Sequence, residues 1–370
     1  QLQSNDPFSS DAPIAHFTKE RTEMTHDQNP NKRTAQDQIS PDAHRRRQLL
    51  ALAAAGAAGG LTVLNAAAAT APPSWPTKPV KILVGFPGGS TPDLVARTLA
   101  EPLSKMLGQP VIVENKSGAG GNIAADQLAK ATDNHTIGVM INGNMTIAKL
   151  INPKLQYDPL TDLAPISLIS TAPLVLCGAA STPADPKEFF AAAKKAGDSW
   201  SYGSPGIGTV SHIGMELLKA RSGIAPVHVP YQGNPQVINA MLAGQIQIAL
   251  LPPALAMAQV RAGKLHAIGV TTAGRSSLVP EVPSLADAGV KDYTLEIWNA
   301  VAAPQSMPAA IRARLDQAFA EIVQQPDIRK KLFQQGWQAV GGTAEALARR
   351  IKSDTQTMGA IIKQQNIRSQ

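Results

Sequence analysis

A chain of 370 residues can build two lobes with a substantial core, and 44% hydrophobic content with only 4% aromatics makes that core one of Ala, Val, Leu and Ile, which suits α/β packing and excludes an aromatic platform for stacking bases. The net charge is +7, but beyond residue 70 the longest basic run is Arg329-Lys-Lys331, with pairs such as Arg349 and Arg350 elsewhere, so a nucleic-acid partner is not expected. Cys177 is the only cysteine, which excludes an internal disulfide and a paired-thiolate metal site.

Residues 1–44 are rich in Asn, Gln, Asp, Thr and Pro and are expected to stay disordered, because they cannot bury enough apolar surface to fold. Arg45, Arg46 and Arg47 then open a weakly apolar Ala/Gly/Leu run. A basic start, an apolar middle and small residues before a cut near Ala69 make residues 45–71 an expected secretory signal, and Arg46-Arg-Gln-Leu-Leu50 resembles the twin-arginine export pattern. A membrane anchor fits less well, since Gly56, Gly59, Gly60 and Asn65 dilute the run and no positive stop follows it. The mature protein is therefore expected in the periplasm.

After Trp75-Pro-Thr-Lys-Pro79 the apolar run from Val80 to Val84 reads as a strand. It breaks into Gly85-Phe-Pro-Gly-Gly-Ser-Thr-Pro-Asp93, where Thr91 is suited to N-cap a helix, Pro92 to its first turn and Asp93 to the positive end of its dipole. Such a turn aims unpaired backbone N–H groups at one spot, which attracts an anion. A second strand, Val111 to Val113, leads through Ser117-Gly-Ala-Gly-Gly121 into a helix running to Ala131, and a third strand spans Thr136 to Ile141. This βαβαβ start predicts a parallel sheet with right-handed crossovers. Pro102 predicts a kink in the first helix. Strands are expected at Ile166 to Ile169 and Leu174 to Cys177.

The pattern restarts near Ser181. A helix from Lys187 to Ala196 is followed by a third glycine-rich loop, Ser201-Tyr-Gly-Ser-Pro-Gly-Ile-Gly-Thr209, and a helix from Ser211 to Ala220. Val227 to Tyr231 reads as a strand, and Gln232-Gly-Asn-Pro235 repeats the cap-then-proline signature before the helix Gln236 to Ala243. Strand, helix and strand follow at 246–251, 254–262 and 267–271. Residues 281–301 then cross back, and helices near 308–324, 326–336 and 343–364 brace the first unit. A chain that visits one unit, then another, then returns has the connectivity of a binding protein that closes about a hinge.

Several motifs, in the right order from Trp75 onward, resemble the Bug family, the periplasmic receptors of tripartite tricarboxylate transporters. They are Pro87-Gly-Gly-Ser-Thr-Pro-Asp-Leu-Val-Ala-Arg97, Val113-Glu-Asn-Lys-Ser-Gly-Ala-Gly-Gly121, Tyr202-Gly-Ser-Pro-Gly-Ile-Gly-Thr209 with His212, Val229-Pro-Tyr-Gln-Gly233 and Ala262-Gly-Lys-Leu-His-Ala267. The resemblance implies a type II periplasmic-binding-protein fold, with one lobe from 75–176 plus 297–370 and the other from 177–296. It implies a monomer without cofactor or metal that captures a small organic acid and passes it to the membrane subunits of the transporter, with no catalysis. The implied ligand contacts in the first lobe are Phe86, Pro87, Gly88 and Gly89, with Asp93 in a capping or water-positioning role, and Gly118, Ala119, Gly120 and Gly121. In the second lobe they are Ser204, Gly208, Thr209, His212, Tyr231 and Gln232, with Leu251 at a further family position.

Three residues depart from the family's pattern. Gln232 stands where Lys or Arg is common, Leu251 where many members carry an acid suited to an ammonium, and Asn299 where a small residue is commoner. The loss of the acid points away from amino acids and toward a plain or partly apolar carboxylate. Two other readings remain open at this level: a periplasmic hydrolase or isomerase using the same cleft, for instance through Ser90 and His212, and a receptor that signals without transport. A dinucleotide site is disfavoured, because Gly206-Ile-Gly-Thr-Val-Ser211 lacks the third glycine and the distant acid. His135, His228 and His266 show no metal-ligand spacing.

Overall fold

The computed structural model describes residues 75–367. The expected N-terminal extension and export signal lie outside the described residues. Among those described, no helix is long and apolar enough to cross a membrane.

The first sheet has the order β11-β4-β10-β3-β1-β2, with β1 Val80–Val84, β2 Val111–Asn115, β3 Thr136–Ile141, β4 Leu163–Ala172, β10 Ile297–Pro304 and β11 Gln338–Gly342. The second has the order β7-β6-β8-β5-β9, with β5 Val175–Ala179, β6 Ser201–Ser204, β7 Val227–Pro230, β8 Ile248–Leu251 and β9 Leu265–Val270. The helices are α1 Thr91–Leu107, α2 Asn122–Ala129, α3 Pro186–Ala196, α4 Val210–Ser222, α5 Asn234–Leu242, α6 Pro253–Arg261, α7 Ala309–Gln324, α8 Pro326–Gln334 and α9 Ala344–Gln364.

Strand alternation builds each lobe as a three-layer sandwich. In the first, Ile82 and Val84 pack with Val95, Leu99 and Leu103 of α1 and with Phe319 and Ile322 of α7, whereas Leu83 faces the opposite core, with Leu128 of α2, Trp298 and Leu347. In the second, Leu176 and Leu250 join the core that holds Phe189 and Ile213, while Cys177 and Leu251 join Val237, Met241 and Met257 on the other face.

Both sheets are mixed, where the sequence predicted parallel ones. β1 runs parallel to β2 and β3, and β6 to β7 and β8, but β10 is antiparallel to β3 and β4, and β5 to β8 and β9. The reversed strands are the ones by which the chain enters a lobe. The chain leaves β4 at the glycine-loop end of the first sheet, turns through Pro173 and Leu174, and must run away from that end in β5; β10 does the same on the return. β11, which the sequence reading passed over as the gap between two helices, adds an antiparallel edge to β4.

Two further differences bear on the site. The N-cap of α1 is Ser90, not Thr91, so Thr91 and Pro92 already lie within the first turn, and the helix runs through Pro102 to a left-handed Gly108. The last helix is also more than a brace on the first lobe. Its Leu347 and Ile351 enter the core beneath the first sheet, but Met358 and Ile362 enter the core that contains Leu176, Phe189 and Tyr202 of the second.

A candidate ligand site between the lobes

The carboxyl ends of the parallel strands in both sheets point at one cavity. Ser90, Thr91 and Pro92 line it from α1, Thr209, Val210 and Ser211 from α4, Asn234 from α5, and Pro252 from the residue before α6. These are four helix N-termini. Ser90, Gly233 and Pro252 give no side-chain cap, and Thr209 accepts only the His212 N–H, so several first-turn N–H groups are left for an occupant. The floor comes from the connecting strands: Ile141 and Asn142 at the end of β3, Leu174 at the crossing, and Ile297, Trp298 and Asn299 at the start of β10. Phe86, Pro205 and Trp337 complete the wall, and about 40 Å³ is open to the centres of water-sized molecules.

No lining residue carries a charged side chain. Five of them instead present a buried polar atom without a partner: Ser90 Oγ, Asn142 Oδ1, Asn234 Oδ1, Asn299 Oδ1 and Trp337 Nε1. Leaving such a group unmade costs about 1–3 kcal/mol, so the cavity is built for a polar occupant. Four helix N-termini, each carrying a partial positive charge of up to roughly half a unit, favour an anionic one.

The loops around the cavity are held from behind by two different networks. In the first lobe the buried Asp93 carboxylate accepts from Gly89 N at 2.9 Å, from Arg97 Nε at 3.1 Å and from Asn115 Nδ2 at 2.9 Å, and the same Asn115 amide donates to Phe86 O. Burial pushes the Asp93 carboxyl upward, but the hydrogen bonds from Arg97, Gly89 and Asn115 outweigh it and leave the group below its ordinary value. Asp93 thus fixes the loop and lies outside the cavity lining.

In the second lobe the support is a stack of rings. The Tyr202 ring lies 4.7 Å from that of His228, and His228 4.3 Å from His212, both pairs stacked and nearly parallel. His228 Nε2 and Ser204 Oγ are 2.7 Å apart, Gly208 N donates to His212 Nδ1 at 3.3 Å, and the Tyr202 hydroxyl donates to Glu216 at 2.6 Å. Burial is the main reason that His212 is pushed down to about 4 and His228 to about 3, and neighbouring Lys219 adds to both. The imidazoles are neutral spacers.

Of the sixteen residues expected at the ligand, the structure puts Phe86 and Thr209 in the cavity wall. Gly88 and Gly89 are exposed, as are Ala119 and Gln232, while Pro87 is half-buried. Ser204 and His212 sit in the ring network behind the loop rather than in the lining. Tyr231 donates its N–H to Ser204 O and packs against the second-lobe core, and Leu251 belongs wholly to that core because it falls on the inner face of β8. Gly120 and Gly208 are contacts between lobes. A Cβ on Gly120 would lie 2.6 Å from Ile207 O, and one on Gly206 would lie 2.7 Å from Gly120 Cα. Gly118 and Gly121 support that loop on the first lobe, where a Cβ on Gly121 would meet Phe86 at 2.9 Å. The glycine loops of the two lobes therefore touch each other, and the cavity lies beside them, under the helix ends.

The residues missed are Asn142, Ser211, Asn234, Trp298 and Trp337. Asn234 stood in the cap-then-proline signature and Ser90 in the first glycine loop, so both carried a signal. Trp337 and Asn142 carried none, since only the tertiary register brings them together.

A model of the tripartite tricarboxylate transporter family receptor matches residues 95–367. The chain belongs to this receptor family. Among solved structures, the periplasmic binding protein BugD is 29% identical with a TM-score of 0.76, over 80% of this chain and 100% of its own. MatC from Rhodopseudomonas palustris with bound malate is 29% identical, TM-score 0.74, over 78% and 100%. Rpa4515 of R. palustris with adipate is 28% identical, TM-score 0.77, over 80% and 99%. The two-lobe α/β architecture is thus that of periplasmic binding proteins, and members of this receptor family bind solutes and are not enzymes.

Proposed function

We propose that this receptor captures a small organic carboxylate in the cavity between its lobes and delivers it to the membrane subunits of a tripartite tricarboxylate-type transporter from the periplasm. The observation that carries this reading is the convergence of four helix N-termini, three without a side-chain cap, on a buried space with five unpartnered polar atoms and no charged side chain. The carboxylate takes the first-turn N–H groups of α1 and α4. A second lobe that swings onto the first through the segments before β5 and β10 then removes the ligand from water, which strengthens each of those hydrogen bonds. The solved relatives with malate and adipate support an acid as the ligand class, and the family description supports the membrane partner.

The test is calorimetric titration and thermal unfolding of the protein with mono-, di- and tricarboxylates. One of them at a hundredfold excess over its Kd is expected to add roughly 2.7 kcal/mol of stability with one-to-one stoichiometry and no product. Binding of no carboxylate, or turnover of one, overturns the reading.

A further inference from the structure

The cavity's polar atoms are unevenly divided between donors and acceptors, and that division narrows the ligand. Asn142 Nδ2 donates to the Glu296 carbonyl at 3.0 Å, so its Oδ1 is fixed as an acceptor, and this oxygen is buried without a donor. Asn299 stands opposite Ile141 in the β3/β10 ladder, next to Asn142; its Nδ2 donates to Ser170 Oγ at 3.4 Å and its Oδ1 is buried without a donor. Both residues are at most 2% exposed. A carboxylate placed against either oxygen would meet like partial charge; a hydroxyl could donate its one proton to it.

An ammonium would also donate, but the same cavity is ringed by positive helix ends and lined by no acidic side chain. A second carboxylate would find no Lys, Arg or His in the lining. Leu174, Ile297 and Trp298 cover the rest of the floor and suit a short apolar carbon.

We infer that the site selects a short hydroxy-monocarboxylic acid, its carboxylate on the helix N-termini and its hydroxyl donating to the Asn299 amide oxygen. This rests on the proposed capture of a carboxylate and specifies which kind. Asn299 is then a specificity-determining residue.

The experiment compares three probes by calorimetry at pH 7: lactate, its deoxy counterpart propionate, and malate, which keeps the hydroxyl and adds a carboxylate. Lactate, or 2-hydroxybutyrate as the next homologue, is expected to bind at least tenfold more tightly than the deoxy acid and than malate, as a buried acceptor left unpaired would demand. The same titrations on Asn299→Leu are expected to collapse the lactate-to-propionate ratio to about one; if that variant does not fold, Asn299→Ala carries the comparison. Malate binding more tightly than lactate, or a ratio unmoved by the substitution, overturns the inference while leaving carboxylate capture intact. Failure of all three probes together with every other carboxylate overturns the underlying function instead.

Discussion

The two loops that meet at the cavity are backed by unlike materials. Behind the first-lobe loop stands a charge, Asp93, tied to Gly89, Arg97 and Asn115; behind the second stands a neutral stack of Tyr202, His228 and His212. Each solution suits its surroundings. Arg97 keeps its head more than half exposed, so Asp93 is compensated at the rim without burying a second charge. The ring stack is covered by α4, where an unpaired charge would be costly and flat uncharged groups fill the space at no such penalty. The shared outcome is a loop whose N–H groups are held in place before any ligand arrives, which is the property a cavity lined by no cationic side chain depends on.

The largest effect is expected from keeping the loops apart. Gly120 has a φ of 63° and its missing Cβ would sit 2.6 Å from Ile207 O, so Gly120→Val should lower ligand affinity at least a hundredfold in calorimetry. Unchanged affinity would mean that the loops need not touch in the bound form. Next is the charged support. Asp93→Ala removes the acceptor for three donors and should cost roughly 3 kcal/mol in urea unfolding, with Asp93→Asn costing about half as much.

The neutral support is exposed by acid. His212 and His228 sit below their ordinary 6.5, so below pH 6.5 the unfolded chain binds protons that the native one refuses. Stability is therefore full above about pH 6.5 and falls as pH drops toward 4, by up to about 1.4 kcal/mol per pH unit for each imidazole. Asp93 is lowered from 3.8, so its contribution persists through that window and is lost only below it. His228→Gln should reduce the slope of unfolding free energy between pH 6.5 and 4.5, and an unaltered slope would show that the stack does not govern it. The smallest effect belongs to the one side-chain-capped helix end among the four at the cavity: Thr209→Ala should cost about 1 kcal/mol in the same assay.

Much of this architecture was legible in the chain, because glycine and proline punctuate it at each turn from strand to helix. Ser90 and Asn234 lay inside motifs that announced helix starts, though not that those starts lack a side-chain cap. The glycines carried only part of their meaning in the sequence: a residue without a Cβ signals close approach, but not of what, and here Gly120 and Gly206 approach each other. The floor was invisible, since Asn299 faces Ile141 only through a reversed strand that returns from the other lobe, and the edge strand β11 is too short and glycine-rich to stand out from its flanking helices. Asn299 was conspicuous in the sequence as an odd residue, yet without its cross-strand neighbours it had no chemistry.

The terminal helix α9 adds a mechanical condition. Because Leu347 and Ile351 are seated beneath one sheet and Met358 and Ile362 beneath the other, a rigid rod about 31 Å long, at 1.5 Å per residue, is clamped at both ends across the moving joint. Any swing of the lobes has to flex that rod or slide its last two turns over α4. The rest angle of the receptor is in this way set like a leaf spring, by the seating of two side chains some 60 residues beyond the last crossing of the chain.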